Sequence, residues 1–214
     1  MKTTIFKSDL ISNDELNLIC SFLEMGAVFA FPTETVYGIG CDLFSEIGAK
    51  RIYELKDRHY NLPLSAYVSS IEMALTIVKD TPDDFFLLAE NFLPGPLTII
   101  LNKNQSVPDF VNGGLETIGI RFSDHEITRR IIQTFGKPLS GTSANISGSS
   151  PAIDCPDVLR EFSEAIPLII DGGKTKFAQE STVLSLAGVK PFVIREGVIK
   201  IKNLEDVLNI NLSD

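Results

Sequence analysis

Tryptophan is absent from this chain, histidine occurs twice and cysteine three times. Cys20, Cys41 and Cys155 are odd in number, scattered and nowhere spaced as a CxxC pair, and only His59 and His125 stand ready to assist them, so neither a disulfide framework nor a structural zinc site is expected. Positive charge is also scarce: 19 Lys and Arg face 28 Asp and Glu, a formal net charge of -9. That balance opposes broad attachment to nucleic acid, whose affinity rests on many Lys and Arg contacts to phosphate, and the scattered Tyr and Phe residues make no basic and aromatic stacking surface. Any anionic ligand must be held by a local cationic cluster. No apolar run reaches membrane length, and the start from Met1 to Lys7 lacks the apolar stretch and small residues of a secretory signal, so a cytoplasmic chain is the expectation.

What is present suits a globular protein. Hydrophobic residues make up 44% and charged residues 22% of 214 positions, enough to bury one good core. With no internal repeat, low-complexity tract or linker composition, residues 1–214 read as a single compact domain.

The segment Phe31-Pro32-Thr33-Glu34-Thr35-Val36-Tyr37-Gly38-Ile39-Gly40 joins a buried-strand signal to a polar turn. Pro32 ends the strand, and Thr33, Glu34 and Thr35 then present hydroxyls and a carboxylate where the chain leaves the sheet, the usual place for ligands in open α/β folds. Gly38 and Gly40 are expected to permit unusual backbone conformations or the close approach of a ligand. Upstream, Ser12-Asn13-Asp14-Glu15 has the form of a capping box, and the spacing of Leu16, Ile19, Cys20 and Leu23 predicts a helix to about Gly26. Ser45 caps a second predicted helix that ends near Lys56 and Arg58. These two cations either complement the negative end of that helix or begin an anion site.

Strands are predicted over 64–68, 97–101, 117–122, 168–170, 181–186 and 191–195, the last two paired across Ala187-Gly188. Helices are predicted from Thr81-Pro82 toward Phe92, from a cap at Ser123 or Asp124 through Ile132, and from Asn203 through Val207. Arg121 ends the strand Thr117 to Phe122. The run Ser140-Gly141-Thr142-Ser143-Ala144-Asn145-Ile146-Ser147-Gly148 reads either as an anion-binding nest or as turns whose polar groups satisfy one another. The Gly172-Gly173-Lys174-Thr175 segment is not a P-loop, because Leu168 occupies the place of that motif's first glycine.

In order, the segments PTETVYGIG, KDR, PGPLT, IGIR, TSANISG, ESTV and VIREG resemble the YrdC-like threonylcarbamoyl-AMP synthase family over roughly residues 28–197. The resemblance implies an α/β fold in which a twisted mixed sheet with flanking helices surrounds a concave, positively charged pocket, and the short form of the family. It implies a nucleotidyltransferase that makes threonylcarbamoyl-AMP and pyrophosphate from L-threonine, bicarbonate and ATP, with Mg2+ on the phosphates and no metal held by protein side chains. A partner transferase complex would then modify tRNA; no membrane is involved. The family's KxR and SxN quartet is carried over onto Lys56, Arg58, Ser143 and Asn145, which would cradle phosphates and reacting carboxyl groups. Thr35, Arg121 and Ser181 would hold threonine, and Thr117 and Arg195, beside Lys56, Arg58 and Asn145, the nucleotide. His59 and His125 read as surface or helix-cap residues.

The chain departs from the family pattern at Arg58-His59, at Leu62-Pro63-Leu64, where an asparagine is common in place of Leu62, at Tyr67, where a histidine is common, and at Leu93, where a tryptophan is common. A competing reading is a non-catalytic paralogue that binds structured RNA on the same concave surface; a carbamoyl-transfer module of a hydrogenase-maturation protein is a third, expected inside a much longer chain.

Overall fold

A computed structural model describes residues 2–212. The strands are β1 (Thr4–Lys7), β2 (Phe29–Phe31), β3 (Gly38–Asp42), β4 (Ser65–Tyr67), β5 (Leu97–Asn102), β6 (Thr117–Arg121), β7 (Leu139–Ser143), β8 (Leu168–Asp171), β9 (Thr182–Ser185) and β10 (Phe192–Arg195). They form one mixed sheet in the order β1-β8-β2-β3-β7-β4-β6-β5-β9-β10. The helices are α1 (Asn13–Glu24), α2 (Glu46–Lys56), α3 (Ile71–Leu75), α4 (Asp83–Phe92), α5 (Asp109–Asn112), α6 (Glu126–Phe135), α7 (Cys155–Phe162) and α8 (Ile201–Leu208). Among the described residues no helix is long and apolar enough to cross a membrane.

Alternation along the strands divides the core in two. Ala30, Ala66, Ile99, Ile120 and Leu184 face a large apolar cluster to which α2, α4, α5, α7 and α8 contribute. On the other face, Phe29, Phe31, Leu168 and Ile170 meet Leu16, Ile19 and Leu23 of α1 and Ile127, Ile131 and Phe135 of α6. Over the remaining strands that second face carries Ser65, Thr98, Gly119, Arg121 and Val183, which line a cavity, and Tyr67, which lines it while packing against Phe31 at the edge of the apolar cluster. One side of the same sheet is thus largely apolar, with Ser140 and Thr182 buried and hydrogen-bonded within it, while the other changes from core to binding surface partway across.

Local signals act as the sequence predicts at the first two helices. Ser12 and Glu15 exchange side-chain and backbone hydrogen bonds in a complete capping box, and Ser45 accepts from the Gly48 amide. The helix expected to start at Ser123 or Asp124 begins later, at Glu126, with His125 at the cap and no side-chain cap bond. Both predicted caps are occupied elsewhere: Ser123 Oγ donates to Glu34 and accepts from the His125 amide, and Asp124 binds Arg129.

Two further expectations are corrected. The stretch 140–143, read as nest or turns, belongs to β7, an interior strand between β3 and β4 whose Ser140 is fully buried. Gly38 and Gly40 also lie in a strand and have no positive φ. Their glycine requirement comes from packing: a Cβ on Gly38 would sit 2.7 Å from the Phe31 ring, and one on Gly40 2.6 Å from the Ser140 carbonyl oxygen.

Gly38→Ala should therefore cost about 1–3 kcal/mol, the usual penalty of overpacking a dense core, read as a lower denaturant midpoint. An unchanged midpoint would mean that the Phe31 ring yields freely.

Candidate functional site

The cavity of about 290 Å3 on the uncovered sheet face is lined by three guanidinium groups, Arg58, Arg121 and Arg195, by the hydroxyls of Thr35, Thr98, Thr142, Ser143 and Ser181, and by one carboxylate, Glu180. A roomier groove of about 580 Å3 beside α2 has different chemistry: its Lys50 and Arg51 are spent on Glu46 and Glu54 at the surface.

Arg121 ends β6 and is 2% exposed. Its Nη2 donates to the Glu34 carboxylate and to Thr35 Oγ1, and its Nη1 to the carbonyls of Gly95 and Leu97. Glu34 in turn accepts from Ser123 Oγ at 2.6 Å and from the Asp124 amide at 3.0 Å. Burial alone would push the Glu34 carboxyl up, but Arg121 and these hydrogen bonds outweigh it and hold its pKa below the ordinary carboxylate value. The guanidinium is consequently fixed in place, with Thr35 presented beside it.

A second cluster forms where β9 and β10 begin and end. A register shift between Val193 and Arg195 pairs Arg195 with Val183, which lines the cavity, so the irregularity turns Arg195 toward the site. Arg195 donates to the Ser181 carbonyl through Nε and Nη2, at 3.2 and 2.9 Å, and to Glu180 at 2.6 Å. Ser181 Oγ lies 2.9 Å from Thr98 Oγ1.

Arg58, just after α2, and Ser143, at the end of β7, both reach the cavity. Arg58 donates to the carbonyls of Leu62 and Pro63 at 3.2 and 3.0 Å. Leu62 serves there through its backbone; its side chain is exposed, so the departure from asparagine removes no contact that the carbonyl makes. Ser143 Oγ donates to Asn145 Oδ1 at 2.6 Å.

Lys56 and Asn145 are placed differently. Lys56 is 1% exposed, and its ammonium donates to the carbonyls of Ser143 and Asn145 and to Asn145 Oδ1. Asn145 Nδ2 donates to the carbonyls of Ile146 and Ser149. Neither residue lines the cavity; together they hold the loop that presents Ser143. Thr117, at the outer end of β6, also lies outside the lining, with its carbonyl bound by Asn112. Thr35, Arg58, Arg121, Ser143, Ser181 and Arg195 are brought together.

Sequence reasoning placed Glu34 in the binding loop as its carboxylate but gave it no partner, and left out Glu180; these two carboxylates orient Arg121 and Arg195. The visible signal for Glu34 was an acid in a loop of hydroxyls with a strand-ending arginine available to neutralise it. Tyr67, noted only as a departure, lines the cavity with its ring edge-on to Phe31 at 5.1 Å between centroids, and its hydroxyl makes no hydrogen bond among the described residues. His125 caps α6, as expected of a structural histidine.

Fold and site together define an α/β protein that gathers fixed cations and hydroxyls on an open sheet face, a design for holding anions. Residues 21–197 match the Sua5/YciO/YrdC family, described as telomere recombination, and the chain belongs to that family. It is 37% identical over 194 residues to the threonylcarbamoyl-AMP synthase of Pyrococcus abyssi, covering 91% of this chain and 57% of that protein. It is 34% identical over 211 residues to the putative threonylcarbamoyl-AMP synthase of Methanocaldococcus jannaschii, covering 95% and 98%. The structure of Pyrococcus abyssi Sua5 complexed with L-threonine superimposes with a TM-score of 0.93 at 36% identity, covering 96% of this chain and 61% of that one. This chain thus spans less than two thirds of the Pyrococcus protein.

Removing one partner of a buried ion pair strands the other, so Glu34→Gln should lower unfolding free energy by about 3–5 kcal/mol. Because the Glu34 pKa is depressed, its stabilising share is present above the unfolded carboxyl value near 4.5 and fades as pH falls through the folded value; the variant should lose this acid dependence. Equal stability of variant and wild type at pH 7 would refute the role.

For Lys56, unlike Glu34, folding disfavours the charged form. Burial and nearby Arg58 draw its pKa down from 10.5 to about 8, so between these values the unfolded chain keeps a proton that the folded chain has released. The Lys56 contribution to stability therefore rises with pH across that window. The unfolding free energy of wild type minus that of Lys56→Met should carry this slope; parallel profiles would assign the titration elsewhere.

Proposed function

We propose that residues 1–214 work as a single YrdC-like domain that forms threonylcarbamoyl-AMP and pyrophosphate from L-threonine, bicarbonate and ATP. The observation that carries this reading is the convergence of Arg58, Arg121 and Arg195 with the hydroxyls of Thr35, Ser143 and Ser181 on one cavity. The names of the relatives and the threonine complex of the Pyrococcus protein support it over RNA binding by a non-catalytic paralogue.

In this scheme the threonine amine attacks bicarbonate, water leaves, and the resulting N-carboxylate attacks the α-phosphorus of ATP while pyrophosphate departs. No protein nucleophile is needed. Arg121, with Thr35 and Ser181, takes the threonine carboxylate end, since a pinned guanidinium and two hydroxyls match a carboxylate. Arg58 and Ser143 take the phosphate end, and Arg195 the nucleotide. Lys56 and Asn145 act one step back by holding the Ser143 loop, and Thr117 is left to meet the nucleotide only beyond the cavity mouth. The free Tyr67 hydroxyl offers a hydrogen bond to the bound amino acid. A volume of about 290 Å3 is at the small end for ligand sites, so the base and ribose would lie toward the mouth.

Charge offset and positioning supply the catalysis: fixed donors meet oxygens that become more negative in the transition state without having to reorganise. Mg2+ enters as part of the substrate, carried on the ATP phosphates; the cavity's one carboxylate, Glu180, is engaged with Arg195, and every step assigned here belongs to the chain's own groups. The product would pass to a transferase complex acting on tRNA in the cytoplasm.

Pyrophosphate release from ATP, measured with magnesium and bicarbonate, should require L-threonine. Arg58→Ala should lower this rate by about 10- to 100-fold and Ser143→Ala by about two- to tenfold, since a charged hydrogen bond is worth roughly 1.5–3 kcal/mol against about 0.5–1.5 for a neutral one. Threonine-independent release, or none, would sink the proposal, and greater damage from the serine change would overturn the ranking.

A further inference from the structure

The cavity lined by Arg58, Arg121 and Arg195 has a single carboxylate in its wall, Glu180. Its presence there goes against strand alternation. Ser181 and Val183 line the cavity with the two-residue spacing of an extended chain, and Thr182 between them turns the other way, its hydroxyl donating to the Ile199 carbonyl. Glu180 should share the side of Thr182, yet the chain just before β9 is turned so that 180 and 181 both reach the cavity. Several contacts hold that turn. The Glu180 carbonyl accepts from the Val198 amide at 3.1 Å, and Arg195 spans both residues, donating to the Glu180 carboxylate through Nη1 and to the Ser181 carbonyl through Nε and Nη2. Gly197 lies so close against this stretch that a Cβ there would overlap the carbonyl oxygens of both.

The carboxylate so placed is only half used. Arg195 takes Oε1 at 2.6 Å, while Oε2 makes no hydrogen bond among the described residues and the side chain is 36% exposed. The charge acts across the cavity: the Tyr67 hydroxyl, whose pKa is raised mainly by burial, is raised further by Glu34 and Glu180. A guanidinium only donates and a hydroxyl carries no charge, so of the side chains lining this cavity Glu180 alone attracts a cation. An amino acid brings one cation with it, the α-ammonium, a single carbon away from the carboxylate assigned to Arg121, Thr35 and Ser181.

We propose that Glu180 receives the α-ammonium of the amino acid on Oε2 and is the residue by which the site selects an amino acid over the corresponding acid without the amine. The inference rests on the assignment of L-threonine to this cavity and adds the group that reads its nitrogen. A hydrogen bond between ammonium and carboxylate is among the stronger ones a protein makes, and Arg195 on Oε1 and Gly197 behind the backbone hold the acceptor in place before the ligand enters. Ser181, next in the chain, offers its hydroxyl to the carboxylate end, so two consecutive residues read the two ends of one ligand.

The test is steady-state pyrophosphate release by the full chain, with L-threonine and ATP varied in turn. Glu180→Gln keeps the side-chain shape and an acceptor for Arg195 while removing the charge, so the KM for threonine should rise by at least about tenfold with the KM for ATP held within about twofold. 3-Hydroxybutyrate, which is threonine without its amine, should inhibit both proteins equally. A threonine KM left unchanged by the substitution, or threonine and ATP KM values that rise together as they would if Glu180 only oriented Arg195, would overturn the inference, while threonine-dependent release by the wild type would keep the reading it rests on. A wild type that releases no pyrophosphate with threonine present would overturn that reading and this inference with it.

Discussion

The buried pair of Glu34 and Arg121 is the constraint on which the site depends. Taking two charges out of water is expensive, and the cost is met only where geometry and extra hydrogen bonds are both good. Here the remaining valences are filled by Thr35, Ser123, the Asp124 amide and the carbonyls of Gly95 and Leu97. Three stretches far apart in the chain are thereby tied at one point: the turn after β2, the end of β6 and the entry to β5. Arg121 therefore cannot swing, and its orientation at the cavity wall is settled by the protein's own contacts.

Around that point the sheet divides its labour by parity. Ile99, Ile120 and Leu184 look into the core, while their neighbours Thr98, Arg121 and Val183 look into the cavity. Binding groups mounted on interior strands inherit the rigidity of the sheet, which suits chemistry done by positioning and fixed charge instead of a nucleophile. Lys56 extends the same logic to a loop. Its ammonium is consumed by carbonyls and the Asn145 side chain, so its value lies in where it puts Ser143.

Much of this was legible in the residues. Ser12 and Ser45 announced their helices through local side-chain chemistry, and the β-branched run at Leu97 announced an interior strand. β3 and β7 were hidden because their interior positions are filled by glycine and serine, which hydropathy scores as turn; tight packing demands them, against the Phe31 ring at Gly38 and against the Ile39 carbonyl at Gly141. β1, α3 and α7 carried no signal that sequence reasoning took up. At the site, motif order pointed to segments that line the cavity, yet it could not tell a side chain that faces the cavity, such as Arg58, from one spent inward, such as Lys56, because that distinction rests on contacts nearly ninety positions away. Thr117 shares the parity of Gly119 and Arg121 but sits at the outer end of β6, a difference in depth that alternation alone does not reveal.

The strand order has a consequence for how the molecule comes into being. β3 pairs with β7, β7 with β4, β4 with β6, and β5 with both β6 and β9, so the cavity is lined by residues as distant in the chain as Thr35 and Arg195. Closing such long loops is entropically slow, and parallel pairings of this kind give no reward until both strands exist. During synthesis Thr35 and Arg121 emerge well before Ser181 and Arg195, which makes completion of the cavity a late event in folding.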